Sequence, residues 1–174
     1  HFKGTDRGHQ IKSRALENHI LYNRIEDIAD GNASRLVDLS NCGLSYIVGN
    51  DMQQARSSMN LNAIGYGPEG CEGRSARQHR LFVVNNTFVN EAMNSTLVRN
   101  HADGDVLVAN NLVFGRTDFL QGKGMQQNNA AIDLSLRIPG RWDAPPGSAA
   151  IDTAQAVFDV DGTPIVPERE FNPP

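Results

Sequence analysis

A six-residue phrase recurs along the chain: an apolar residue, two variable positions, Asn, one variable position and a second apolar residue. It reads ILYNRI at 20–25, IVGNDM at 47–52, VVNNTF at 83–88 and VANNLV at 108–113. Its asparagines, Asn23, Asn50, Asn86 and Asn111, are separated by 27, 36 and 25 residues. Periods of this length mark stacked repeats, in which one repeat is one supersecondary unit. Ahead of each phrase lies a second short segment rich in Ile, Leu and Val and bounded by Gly, Asn, Ser or Asp: HQIKSRA (9–15), RLVDLS (35–40), NLNAIGY (60–66) and TLVRNH (96–101). These are the marks of strands, and no segment holds a helical period over the required length. Two or three strands per repeat predict an all-β fold, a right-handed parallel β-helix (solenoid) of about five coils, with each strand roughly 4.8 Å from its counterpart in the next coil.

In such a fold the asparagine has a mechanical task. At the bend between two strands an inward amide bonds the turn backbone and stacks on the amide of the next coil, forming a ladder. After Val113 the phrase stops; a last strand is expected in AAIDLSL (130–136), and Pro139, Pro145, Pro146 and Gly147 then break the pattern. Residues 1–140 are therefore expected to form coils, and 141–174 an irregular segment covering the final coil, as terminal repeats require. Phe2 fits the last position of the phrase one repeat before Ile25. The chain is thus expected to start inside a coil, with upstream coils of the same protein before it. Asp159-Val160-Asp161-Gly162 carries only the opening of a calcium loop, which predicts a turn.

Composition narrows the class. With 174 residues and 39% hydrophobic content the chain has room for one domain with a sizeable core. A net charge of −4 and an aromatic content of 6% argue against nucleic acid as a partner, and no apolar run approaches the length of a membrane span. Cys42 and Cys71 each neighbour a glycine; two free thiols and a single bridge are both open, and neither a disulfide framework nor a metal pattern is present. His1 invites a copper site built from the terminal amine and imidazole, but the repeat register assigns it to a coil.

Chemistry is sought on the outward positions of the strand before each phrase. Placing Ile11, Val37 and Leu39 inward sends Lys12, Arg14 and Asp38 outward, and an inward Val98 sends Arg99 and His101 outward. A slip of one residue inverts this assignment. Tyr66 and Glu69 end the third such strand. There the insertion GPEGCEGRSARQHR (67–80) sets Arg74, Arg77, His79 and Arg80 against Glu69 and Glu72. A basic loop on an acidic chain is either a contact for an anionic ligand or a solvated charged loop. Together these residues suit an acidic polysaccharide cleaved by β-elimination. Arg14 and Arg99 would hold a uronate carboxylate, and Lys12, its pKa lowered by Arg14, would take the C5 proton. Tyr66 or His101 would protonate the leaving oxygen. Asp38, Glu69, Arg74, Arg77, His79 and Arg80 would bind substrate. The alternative is a β-helix that binds glycan, or serves as a surface module, without catalysis.

GHQIKSRALENHILYNRI, RLVDLSNCGLSYIVGN, YGPEG and LFVVNNTFVN resemble the bacterial right-handed parallel β-helix repeat proteins of the pectate-lyase-like superfamily. The likeness spans about residues 2–115 and is weaker in GSAAID and PEREF near the C-terminus. It implies a secreted or periplasmic, carbohydrate-associated protein. Lyases of this architecture commonly pair a Lys base with an Arg, as Lys12 and Arg14 stand here, and often use calcium, for which this sequence shows no carboxylate cluster.

Overall fold

The structure is a computed structural model that describes residues 1–27 and 31–169. β1 (Phe2–Lys3) precedes repeated passes of three strands. These are β2 (His9–Ser13), β3 (Glu17–Leu21) and β4 (Arg24–Glu26); β5 (Arg35–Leu39), β6 (Leu44–Val48) and β7 (Asp51–Gln54); β8 (Asn62–Tyr66), β9 (Arg80–Val84) and β10 (Thr87–Asn90). Then come β11 (Ser95–Asn100), β12 (Asp105–Ala109) and β13 (Leu112–Phe114), followed by β14 (Thr117–Gln121), β15 (Met125–Gln127) and β16 (Ala130–Ile132). Each pass adds one strand to each of three sheets: sheet 1 in the order β14-β11-β8-β5-β2, sheet 2 in the order β15-β12-β9-β6-β3, and sheet 3 in the order β1-β4-β7-β10-β13-β16. Every paired strand runs parallel, an all-β topology that fits a parallel β-helix. Phe2 stands in register with Ile25. No helix among the described residues is long and apolar enough to cross a membrane.

The four segments read as strands ahead of the phrase became β2, β5, β8 and β11, while the phrase itself spans the corner between sheets 2 and 3. Val37, Ile64 and Val98 from sheet 1, Ile47, Val83 and Val108 from sheet 2, and Ile25, Met52, Phe88 and Val113 from sheet 3 converge with no exposed surface. Fully burying one such side chain stabilises the fold by about 1.5–3 kcal/mol. β14 and β15 were not expected. They are the last strands of their sheets, half covered at most, so TDFLQ and MQQ lack the apolar content that signals a strand. The strand expected over 130–136 ends at Ile132. Asp133, whose carboxylate accepts from the Ser135 amide, then starts one 3-10 turn, Leu134–Leu136.

At the corner the asparagines form a ladder. Each Oδ1 accepts from both the backbone N and the Nδ2 of the asparagine one pass earlier, at 2.8–3.2 Å, from Asn23 through Asn50, Asn86 and Asn111 to Asn129. Nδ2 also donates to carbonyls at the end of sheet 2, for Asn86 those of Ile47 and Val84. The ladder runs one rung beyond the fourth phrase, because at Asn129 the leading apolar position is Gln126. The residue before each rung, Tyr22, Gly49, Asn85, Asn110 or Asn128, has φ between 50° and 65°. A left-handed residue there turns the chain between the sheets, and glycine and asparagine tolerate that conformation best.

The C-terminal segment runs back along the outside of sheet 2. Asn128 donates to the Thr153 carbonyl, Asn110 bonds both Gln155 N and O, and the Glu168 amide donates to Tyr22 Oη at 2.9 Å. Between these ties a hairpin turns at Asp159–Gly162, as the sequence predicted, with Asp159 Oδ1 accepting from the amides of Asp161 and Thr163. It places Val157, Val160 and Ile165 on Leu44, Tyr46, Val48, Phe82, Val84, Leu107 and Ala109. Sheet 2 is thus apolar on both faces, and the tail covers the outer one. Truncation after residue 152 is expected to give a protein that binds a hydrophobic dye strongly and aggregates on concentration, checked by dye fluorescence and light scattering. Replacing Asn86 by Ala strips partners from buried amides and carbonyls, each worth about 1–3 kcal/mol. Its loss in chemical denaturation is expected to exceed about 3 kcal/mol, against about 1 kcal/mol for Asn23→Ala, where the side chain is only half-buried.

Candidate functional site

Strand register aligns Lys12, Asp38, Gly65, Arg99 and Gln121 as one column across sheet 1. Lys12, Asp38 and Arg99 therefore share a face as expected, and the third pass contributes a glycine. That glycine matters: a Cβ at position 65 would lie 2.7 Å from Arg35 Nε, so its absence lets the Arg35 guanidinium lie over the sheet. Arg35 Nη1 donates to Asp38 Oδ2 at 2.5 Å, and Nη2 lies 3.4 Å from His101 Nε2. Asp38, expected to face solvent, is 1% exposed, because Arg35 covers it, the Ser40 hydroxyl donates to it, and His9 Nε2 lies 3.6 Å away. A buried carboxylate is tolerable only with such partners.

One pass away a second group assembles. Lys12 Nζ donates to Glu69 Oε1 at 2.6 Å, and Arg14 Nε and Nη2 donate to Glu69 Oε2 at 3.0 and 2.5 Å. Hydrogen bonds from Lys12 first and Arg14 second hold the Glu69 carboxyl below its ordinary range. Lys12 is thus not a free amine crowded by a lone Arg14, as elimination with Lys12 as base requires; its Nζ is engaged as a donor. Arg99 lies three strand spacings along the column from Lys12, about 14 Å, and donates to Gln121. Arg14 and Arg99 therefore do not converge on one sugar ring. Tyr66 is not on the face at all. It is wholly buried, its hydroxyl donates to the carbonyls of Gly43 and Gln78, and burial pushes its pKa far up, which removes it as a proton donor to substrate.

The insertion carries its cations to separate tasks. Cys42 and Cys71 form a disulfide, with Cα atoms 5.4 Å apart, that pins the insertion to the turn after β5. Arg74 braces it against the carbonyls of Asn41 and Arg14. Arg77 makes a bidentate pair with Asp161 of the C-terminal hairpin at 2.6 and 2.7 Å. His79 Nε2 lies 3.2 Å from the Cys71 carbonyl, and Arg80 begins β9 in sheet 2, 4.0 Å from Asp105. These four residues do not gather around one anion.

His101 is exposed, and its pKa lies below the ordinary imidazole value of 6.5, through desolvation first and then the positive charges of Arg35 and Arg99, with Asp38 opposing. His9 is lowered likewise, chiefly by burial, despite Asp38. Their surroundings thus favour the neutral form of both rings. His9 and Arg35 escaped the sequence reading although they sit side by side in the strand register, each three residues before a member of the column. Superposing the passes on their asparagines misses the pair by one residue, because His9 precedes Asn23 by 14 and Arg35 precedes Asn50 by 15. Among the described residues no group of three or more His, Cys, Asp or Glu side chains is arranged to hold a metal, so the donor set does not fit the calcium that the family resemblance implies.

Comparison with protein-family models, with curated proteins and with solved structures returns no match. The face of sheet 1 therefore rests on its own chemistry: four basic side chains, Lys12, Arg14, Arg35 and Arg99, against two carboxylates, Asp38 and Glu69, with two imidazoles whose pKa values are lowered. The disulfide closes a 29-residue separation, for which loop entropy gives about 3–4 kcal/mol. Reduction, or Cys71→Ser, is expected to lower the thermal midpoint by several degrees, with the insertion becoming the first site of limited proteolysis.

Proposed function

We propose that the chain is part of a right-handed, five-coil β-helix of the pectate-lyase-like kind and is polysaccharide-active, taking an acidic, uronate-containing chain along the outer face of sheet 1. The observation that carries this reading is the excess of fixed cations on that face of a chain whose net charge is −4. Strands stacked at about 4.8 Å repeat their side chains at a spacing close to that of sugar residues in an extended polymer. The disulfide supports an exported protein, secreted or periplasmic, since such bonds persist where thiols are oxidised.

The chemistry that suits the site is β-elimination with His101, rather than Lys12, as the base. A guanidinium, Arg99 or Arg35, neutralises the carboxylate on C5. His101 takes the C5 proton, the C4–oxygen bond breaks as the C4–C5 double bond forms, and water protonates the leaving oxygen. An imidazole with a lowered pKa beside two guanidinium groups is suited to this step, because the ring favours its basic form and the guanidinium groups can neutralise a carboxylate.

Binding without catalysis is the second reading. It is favoured by the full engagement of Lys12, Arg14 and Asp38 within the protein. Incubation with alginate, pectic acid and glycosaminoglycans, followed by ultraviolet absorbance of unsaturated ends, separates the two. Elimination predicts product formation that falls about 100-fold or more in His101→Ala. Its rate declines on the acid side with a midpoint below 6.5, because protonation removes the base, and desolvation first and the neighbouring cations second delay that protonation. Absence of unsaturated ends, together with retention on an immobilised polyuronate that Arg99→Ala weakens, establishes the binding reading. Absence of both rejects the acidic-glycan assignment.

A further inference from the structure

We infer that Lys12 and Arg14 form a carboxylate-binding subsite that Glu69 occupies in the free protein, and that a uronate carboxylate of the bound glycan displaces it. This inference rests on the acidic-glycan reading and names the subsite within it. Both oxygens of Glu69 are taken, one by the Lys12 ammonium and the other by two nitrogens of the Arg14 guanidinium. The geometry is that of a receptor built for one planar anion. The same two cations, each at the end of a long side chain, present a matching cradle to any carboxylate that reaches the surface.

The Glu69 backbone is fixed. Its amide donates to the Ser40 carbonyl at 2.9 Å, Asn41 Nδ2 donates to the Gly70 carbonyl at 3.1 Å, and Cys71 is bonded to Cys42. Arg74, bonded to the Arg14 carbonyl, ties the insertion to the strand end that bears the subsite. The peptide therefore stays in place and only the side chain has to swing. That side chain is 39% exposed, so its carboxylate moves into water rather than into the core. Exposed ion pairs add little to stability, and the exchange of one carboxylate for another leaves the number of charge-assisted bonds unchanged. The insertion thereby supplies an internal substitute for the ligand. It keeps two cations ordered and compensated when no glycan is bound, and it discriminates against neutral sugars, which have no group to replace the lost carboxylate.

Titration of oligogalacturonate and of its methyl ester into the intact chain tests this by calorimetry. Glu69→Gln keeps the shape of the side chain and removes its charge; it is expected to bind the free acid about 5- to 10-fold more tightly than wild type and to leave binding of the ester unchanged. Adding Lys12→Gln and Arg14→Gln to Glu69→Gln is expected to abolish the gain. Circular dichroism and thermal melting of each variant confirm that the fold is retained. If wild type binds the free acid and Glu69→Gln binds it no more tightly, the subsite is overturned while the acidic-glycan reading stands. If neither wild type nor Glu69→Gln binds any polyuronate, both fall. An equal gain for acid and ester also overturns the subsite, because the carboxylate is then not what Glu69 was excluding.

Discussion

The asparagine ladder is the constraint on which the rest of the structure depends. Every pass must turn a corner between sheets 2 and 3, and at each corner backbone groups are carried into the interior, away from water. An amide side chain has both an acceptor and two donors, so one asparagine satisfies the turn of its own pass and the next asparagine in the column. Because each rung bonds its neighbours, the rungs fix the axial register of all three sheets at once. A ladder half satisfied would leave buried polar groups unpaired, which costs more than any single apolar contact returns.

The corner does a second job through the residue before each rung. These left-handed positions project towards the flank of sheet 2, and three of them, Tyr22, Asn110 and Asn128, hold the returning C-terminal segment by hydrogen bonds. At Gly49 a Cβ would lie 2.8 Å from the Tyr22 ring. The tail is thereby strapped along the stack. The apolar outer face of sheet 2 explains why: Phe82, Val84 and Ala109 need cover, and Val157 and Ile165 supply it. The Arg77–Asp161 pair joins the insertion to the same strap.

Sheet 1, which no such segment covers among the described residues, is the surface where charge collects. Its inward positions are filled by Val37, Ile64 and Val98, so the ionic column stands on a rigid backing. Rigid backing is what allows Arg35 to be laid over Gly65 and Glu69 to be held beside Lys12 and Arg14. The same packing separates the cations into two groups, one around Glu69 and one around His101.

The repeat phrase by itself determined the parallel stacking, the ladder through Asn111 and the shared column of Lys12, Asp38 and Arg99, because those follow from a recurring corner, a nearly constant distance back to the preceding strand and strand alternation. The rung at Asn129 escaped it, since the terminal pass has no neighbour demanding an apolar Gln126. The direction of the C-terminal segment, the pairing of Cys42 with Cys71, the burial of Tyr66 and Asp38, and the capture of Lys12 and Arg14 by Glu69 were decided only in three dimensions. Each depends on contacts between residues from different passes or from the insertion, where no periodicity links the partners: Glu69 is 57 residues from Lys12 and Glu168 is 146 from Tyr22. Local spacing specifies which way a side chain points; whether it then meets water, a carbonyl or an opposite charge is settled by what the rest of the chain lays over it.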